Sequence, residues 1–182
     1  MALDNDNIKG ADDLIRRLTA AKSYIAHDVN KVVGVEAVNH FKEGFQNEGF
    51  TDKSLEKWKS RKTKRSGGTN GQKVLSKSGE LGDSIDYRIE GKTTIIYSDK
   101  VYSQIHNEGG EITVTPQMRK FFWAKSHEAK EAGDTDLQEQ YKFMALSKVI
   151  KIEQRKFMGE SKVLVDKIIN KIERDLIKIL KS

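Results

Sequence analysis

Apolar residues recur at steps of three and four from Asp12 to about Phe45: Leu14, Leu18, Ala21, Ile25, Val29 and Val32, then Val35, Val38, Phe41 and Phe45. That period predicts one long amphipathic helix, because residues three and four apart share a face of a 3.6-residue turn. Asp12 or Asp13 is placed to cap its start. Gly34 is the expected bend, since glycine in a helix interior costs about 1 kcal/mol relative to alanine; Gly44 and Gly49 weaken the end. The pattern disappears between about residue 50 and Lys77. This stretch contains Ser66-Gly67-Gly68-Thr69-Asn70-Gly71, has too few apolar residues to offset the entropy of ordering, and reads as a flexible loop. Trp58 is the candidate anchor for its first half.

Order returns at Ser78, a plausible N-cap, with Leu81 and Ile85 four apart on one face of a short helix. Residues 86–90 and 93–98 are rich in β-branched and aromatic side chains and flank Gly91-Lys92, which predicts a two-residue β-hairpin. Asp99 is placed to cap another short helix running through His106, stopped by Gly109-Gly110. Residues 111–115 (EITVT) and 147–152 (SKVIKI) alternate like strands and are expected to pair antiparallel around everything between them. What lies between reads as a helical hairpin over about 116–146: Thr115 caps, Pro116 takes the first helical position, and Gly133-Asp134 breaks the two helices. The cleanest element is the last. Val165, Ile168, Ile169, Ile172, Leu176, Ile179 and Leu180 form one stripe of a C-terminal amphipathic helix. The expected fold is a single α+β domain over residues 1–182, in which one small antiparallel sheet of four strands is packed by long N-terminal and C-terminal helices.

The chain's 182 residues suit one domain. With 36% hydrophobic and 33% charged residues, it can bury a core yet is more solvated than most globular proteins. It has no cysteine, which excludes disulfides, thiolate nucleophiles and cysteine-ligated zinc. No stretch reaches the length of a membrane span, and MALDNDNIKG lacks the basic-then-apolar layout of a signal peptide, so the expectation is a soluble, intracellular product with no membrane partner. The net charge of +6 is concentrated: from Thr51 to Lys77 there are nine basic residues against two acidic ones. The basicity is therefore local.

Candidate chemistry is thin. His27, His40, His106 and His127 are scattered, none in a spacing that sets two metal donors on one helical face. Gly67 to Lys73 resembles a phosphate loop only superficially, because Gln72 stands where that motif needs glycine and no Ser or Thr follows Lys73. No Gly-x-Ser-x-Gly elbow occurs. Neither a catalytic set, a metal nor a cofactor is expected. The basic loop, with Lys59, Arg61, Lys62, Lys64, Arg65 and Lys73, admits two readings. It is a solvated segment that orders against a neighbouring protein, or a nonspecific, salt-sensitive phosphate contact that would make the chain a basic nucleic-acid-binding module. Trp58 is its lone aromatic, which gives little support to base stacking.

Three boxes stand in order: Ser78-Gly79-Glu80-Leu81-Gly82-Asp83-Ser84-Ile85, Val101-Tyr102-Ser103-Gln104-Ile105-His106-Asn107-Glu108-Gly109-Gly110, and Arg155-Lys156-Phe157-Met158-Gly159-Glu160-Ser161. Together, with the hairpin between the first two and the amphipathic helix after the third, they resemble the phage virion morphogenesis family of tail-completion proteins from roughly Phe41 onward. The third box departs from the family pattern in lacking prolines around Arg155, and the insertion over 115–146 separates boxes that are often closer. The resemblance implies a non-enzymatic structural part at the head-proximal end of a phage tail or in head–tail joining, made in the host cytoplasm and then carried in the virion. Its implied partners are other copies of itself, tail or head–tail connector proteins, and DNA in passage. Gly79, Leu81, Ser84, Ile85, Tyr102, His106, Gly109, Arg155, Phe157 and Gly159 are then expected to be structural. Tyr102 and His106, four apart, share a face, and His106 is expected to be a hydrogen-bonded packing histidine. Arg155 and Phe157 alternate on an extended segment, with Arg155 expected in an ion pair within the fold or across a subunit contact.

Overall fold

The computed structural model describes residues 5–60, 74, 75 and 78–182, with the side chains of residues 5–8 left aside. Two helices open the chain, α1 (Asn5–His27) and α2 (Val29–Asn47). The long helix expected from the sequence is present, but it starts before Asp12 and bends at Asp28 rather than at Gly34. The ladder runs through the bend, since Asp28 N–H donates to the Tyr24 carbonyl at 2.9 Å and Val32 N–H to the Asp28 carbonyl at 3.0 Å. Gly34 serves another purpose. The ring of Tyr87 lies so close that a β-carbon at Gly34 would stand 2.2 Å from its Cδ2, so the missing side chain lets a strand approach the helix directly.

Two short strands follow, β1 (Gly49–Thr51) and β2 (Leu55–Lys57), paired antiparallel. The first part of the expected loop is therefore ordered. The turn at Asp52-Lys53-Ser54 reverses the chain, and Trp58 N–H closes back on the Glu48 carbonyl at 2.8 Å. Helix α3 (Glu80–Asp83) leads into the hairpin of β3 (Ile85–Glu90) and β4 (Thr93–Ser98), whose register of Glu90 opposite Thr93 leaves Gly91-Lys92 as the two-residue turn. Ser78 does not cap α3; that position falls to Gly79, in the left-handed region at φ 76°. Ile85 is not helical. The chain bends at Ser84, and Leu81 and Ile85 still reach one core, at 4% and 1% exposure.

Helix α4 (Ser103–Glu108) is entered at Tyr102 rather than capped by Asp99, and β5 (Gly110–Thr113) follows it. The insertion is then as expected: α5 (Pro116–Glu131) with Thr115 Oγ1 accepting from Met118 N–H, and α6 (Thr135–Leu146) with Asp134 capping Leu137 N–H. Strand β6 (Val149–Ile152) pairs antiparallel with β5, and Val114 N–H extends the pairing to the Lys148 carbonyl at 2.9 Å. Helix α7 (Lys162–Lys181) ends the chain. The α+β class holds, but the single four-stranded sheet does not: the described strands form three separate antiparallel pairs. Pairs β3–β4 and β5–β6 are held apart because each belongs to a different apolar cluster. The main cluster joins Ala37, Phe41 and Phe45 of α2 to Phe50, Leu81, Ile85, Phe157 and Leu164. The second joins Val114, Phe122 and Ala145, with Tyr141, Met144 and Ile150 against them, inside the insertion.

Helix α7 also departs from expectation. Its buried residue is Leu164, outside the sequence stripe, whereas Val165 and Ile169 of that stripe stay about half exposed, at 51% and 48%. α7 runs antiparallel to α1, joined where Arg17 Nη1 donates to the Leu180 carbonyl at 3.0 Å and Tyr24 Oη to Asp175 at 3.0 Å. Burial and then the Asp175 carboxylate push the Tyr24 pKa up to about 12.

Two glycines in these helices are expected to respond to alanine with opposite signs. Gly34→Ala forces the Tyr87 ring to move and should cost about 1–3 kcal/mol. Gly10→Ala meets nothing within 4 Å and should stabilise by about 0.5–1 kcal/mol. Urea unfolding monitored by circular dichroism measures both, and equal shifts would contradict the Tyr87 contact.

Candidate functional site

The segment 154–161 is extended and would have to leave backbone groups unpaired in the interior unless other elements supplied partners. Those partners come from across the chain. Asn107, in the last turn of α4, accepts with Oδ1 from the N–H groups of both Phe157 and Met158, at 2.8 and 2.9 Å. Arg155 N–H donates to the His106 carbonyl at 2.8 Å, and Gln154 Nε2 to the Asn107 carbonyl at 3.2 Å. From the opposite side Trp58 Nε1 donates to the Lys156 carbonyl at 2.6 Å. Phe157 is fully buried, its ring 5.2 Å from that of Phe45, which in turn meets Trp58 edge-on at 5.3 Å. Phe157 shares its cluster with Leu81 and Ile85. The three sequence boxes thus converge: the first and third share a core, and the second holds the third by its backbone.

The same junction sets the start of α7. Ser161, buried, accepts with Oγ from Leu164 N–H at 3.1 Å. Asp52, from the β1–β2 turn, accepts from Lys162 N–H with Oδ1 at 2.9 Å and from Val163 N–H with its carbonyl at 3.0 Å. Three of the four orphan donors of a helix start are satisfied in this way. Gly159 sits at φ 152° with Lys156 Cε where a β-carbon would go, so Lys156 can fold back and place its ammonium 4.3 Å over the Phe50 ring. Gly109, at φ 74°, brings the chain against the Gln154 backbone, 3.0 Å from where its β-carbon would stand. Ser84 Oγ donates to the Leu81 carbonyl at 2.8 Å and meets Ser98 Oγ at 2.7 Å, tying the first box to the end of β4.

His106 departs in one respect from expectation. Tyr102 and His106 do share a face, ring centroids 6.0 Å apart and edge-on, but His106 Nδ1 is buried without a hydrogen-bond partner. Burial, and secondly the Arg155 charge, hold the His106 pKa below the ordinary histidine range. Arg155 makes no ion pair within the described residues. Its Nη2 donates to the Lys59 carbonyl at 3.4 Å, and its Nε is buried and unpartnered. Lys59 itself reaches Glu153 at 3.4 Å. The other basic candidates, Arg61, Lys62, Lys64, Arg65 and Lys73, lie outside the described residues. His40 is a core histidine, its Nε2 donating to the Thr51 carbonyl at 3.0 Å.

Among the described residues no three His, Asp or Glu side chains are grouped to hold a metal ion, and no helix is long and apolar enough to cross a membrane. Asn107, Asp52, Ser161 and Trp58 spend their side-chain polar atoms on backbone partners, so these contacts fix the shape of the junction. Residues 6–177, nearly the whole chain, match the model of the phage virion morphogenesis family. The chain belongs to that family. The match extends well before Phe41 and takes in α1 and α2, so the N-terminal helices are part of the family fold rather than an addition to it. No curated protein and no solved structure matches the chain. In this family member, the resemblance pointed to the boxes but not to the residues that join them. Asn107 lies within the second box but its amide has no periodic signature. Asp52 lies in an Asp-x-Ser turn signal between Phe50 and Leu55, which marks a reversal but not the helix it caps.

Asn107→Ala should cost about 2 kcal/mol, because two interior N–H groups lose their acceptor, whereas Asn107→Asp, which can still accept, should cost less. Denaturant unfolding ranks the two, and an Asn107→Ala protein as stable as the parent would refute the pinning. Lowering pH should destabilise the protein through His106. Its folded pKa is depressed, so the unfolded chain takes up the proton first. Stability is complete above the ordinary histidine pKa of about 6.5 and falls as pH drops below it. His106→Asn should flatten that part of a melting-temperature profile between pH 7.5 and 5.

Proposed function

We propose that this chain is a non-enzymatic structural subunit of a tailed phage or prophage, acting at tail completion or at the head–tail joint. The observation that carries the reading is the family match across residues 6–177. It acts by geometry: copies associate around an axis through heterologous contacts that close into a ring, and the ring caps the tail tube or joins it to the head. Its partners are other copies of itself and tail or head–tail connector proteins, with basic loops turned to the next ring or to DNA in the passage. The protein is made in the host cytoplasm and ends in the virion.

Two features support a working surface made of shape rather than catalytic groups. The junction commits Asn107, Asp52, Ser161 and Trp58 to structural hydrogen bonds. The outer helices carry apolar side chains that the fold leaves exposed, Leu14, Leu18 and Ile25 on α1 and Val165, Ile169 and Leu180 on α7. Such apolar side chains are available to a partner surface.

Deletion of the gene from its phage or prophage should leave finished heads and tails unjoined, or tails of the wrong length, in negative-stain electron micrographs. A plasmid copy should restore particles. Normal infectious virions from the deletion strain would overturn the reading.

A further inference from the structure

We propose that a stripe on α6 of one copy seats in a groove beside α1 of the next, and that this contact propagates the ring. The inference rests on the ring reading above and names its two surfaces. The groove, about 720 Å³, lies between α1 and the β3–β4 turn and is lined by Leu18, Ala21, Ile25 and Ala26 with Lys22 and Lys92. It exists because Thr94 Oγ1 donates to the Asn30 carbonyl at 3.1 Å, which fixes the hairpin beside the helix, while Ala21 and Ala26 leave space between them. Leu18 and Ile25 remain 54% and 58% exposed. Among the described residues neither Lys22 nor Lys92 takes part in an ion pair. The groove is therefore apolar along its floor and positive at its edges.

The complementary surface is on the same chain. Glu139, Phe143 and Leu146 follow steps of four and three along α6 and share one face. That face is turned away from α5, because the opposite side buries Ala145, whose carbonyl accepts from Arg119 Nη1 at 2.6 Å. Phe143 and Leu146 are 73% and 63% exposed, the two most exposed large apolar side chains of the insertion. Among the described residues Glu139 holds only its neighbour Lys142, at 3.4 Å on the surface, a pairing readily exchanged for another. The stripe is convex, aromatic and acid-bearing; the groove is concave, aliphatic and basic. The occupant that fits is a second copy, since each molecule carries both halves on different elements. Such a contact is heterologous, leaves a free stripe on one copy and a free groove on the other, and ends only when the ring closes.

The absence of native cysteine makes the test direct. Ala26→Cys at the groove and Lys142→Cys beside the stripe leave Phe143, Glu139, Lys22 and Lys92 in place. A short bismaleimide should link a mixture of the two single variants into a dimer that neither gives alone, and should link the double variant into a ladder. In the double-cysteine background, Lys22→Glu with Lys92→Glu should lower ladder yield about tenfold, and Glu139→Lys should restore it. Circular dichroism confirms that each variant folds. A dimer from Ala26→Cys alone, or no mixed cross-link where sedimentation shows oligomers, overturns this contact while leaving the ring reading intact. A protein that stays monomeric and unlinked at every concentration overturns it as well. The ring reading fails separately if labelled antibody finds no copies at the tail ends of purified particles.

Discussion

Burial of Phe157 in the main core, with its own N–H and that of Met158 held by the Asn107 amide, is the constraint on which the rest of the architecture depends. An aromatic ring contributes about 3–5 kcal/mol when buried in this way, but on an extended segment it brings backbone groups inward with it. Those groups must be paired, and helix or sheet ladders are not available to them. Asn107, the His106 carbonyl and Trp58 take that place. They come from segments about fifty and about a hundred residues away in the chain, so the junction closes the long loops of the fold in one small volume.

From that pin the outer elements follow. The segment beyond Phe157 is delivered to Ser161 and Asp52, which together start α7 at a defined point and direction. α7 then runs along both α1 and α2, with Ile168 still packed against the main core and Lys167 paired with Glu36 of α2. A helix laid on the outside of two neighbours buries only the part of its apolar stripe that faces them, and Val165 and Ile169 stay about half exposed. The exposed side chains of α1 and α7 result from this geometry. The insertion obeys the same logic on its own scale: Phe122 and Ala145 face inward to a second cluster, and Phe143 is left outside it.

Much of the fold was legible in the sequence where the signal was local. The β3–β4 hairpin, the Thr115-Pro116 start of α5, the break at Gly133-Asp134 and the extent of α7 all depend on residues within a few positions of one another. Where the reading failed, a distant neighbour had decided. Gly34 looked like a bend and is a seat for Tyr87. Leu81 and Ile85 have helical spacing, yet a turn at Ser84 brings both to one core from different elements. The described strands form three separate pairs rather than one sheet, because an alternating pattern does not specify which strands meet. His106 Nδ1 and Arg155 Nε lie buried without a hydrogen-bond partner among the described residues, which spacing along the chain does not reveal.

The sequence alone determined where chain segments are helical or extended and how the insertion is bounded, because these rest on short-range periodicity, capping and turn chemistry; the three boxes were marked by their resemblance to the family. Only the tertiary structure decided that the boxes meet, that Asn107 and Asp52 hold them, and that part of an amphipathic stripe stays outside. Pairing of backbone groups across a hundred residues leaves no period in the chain, and burial is a property of what packs against a face rather than of the face alone.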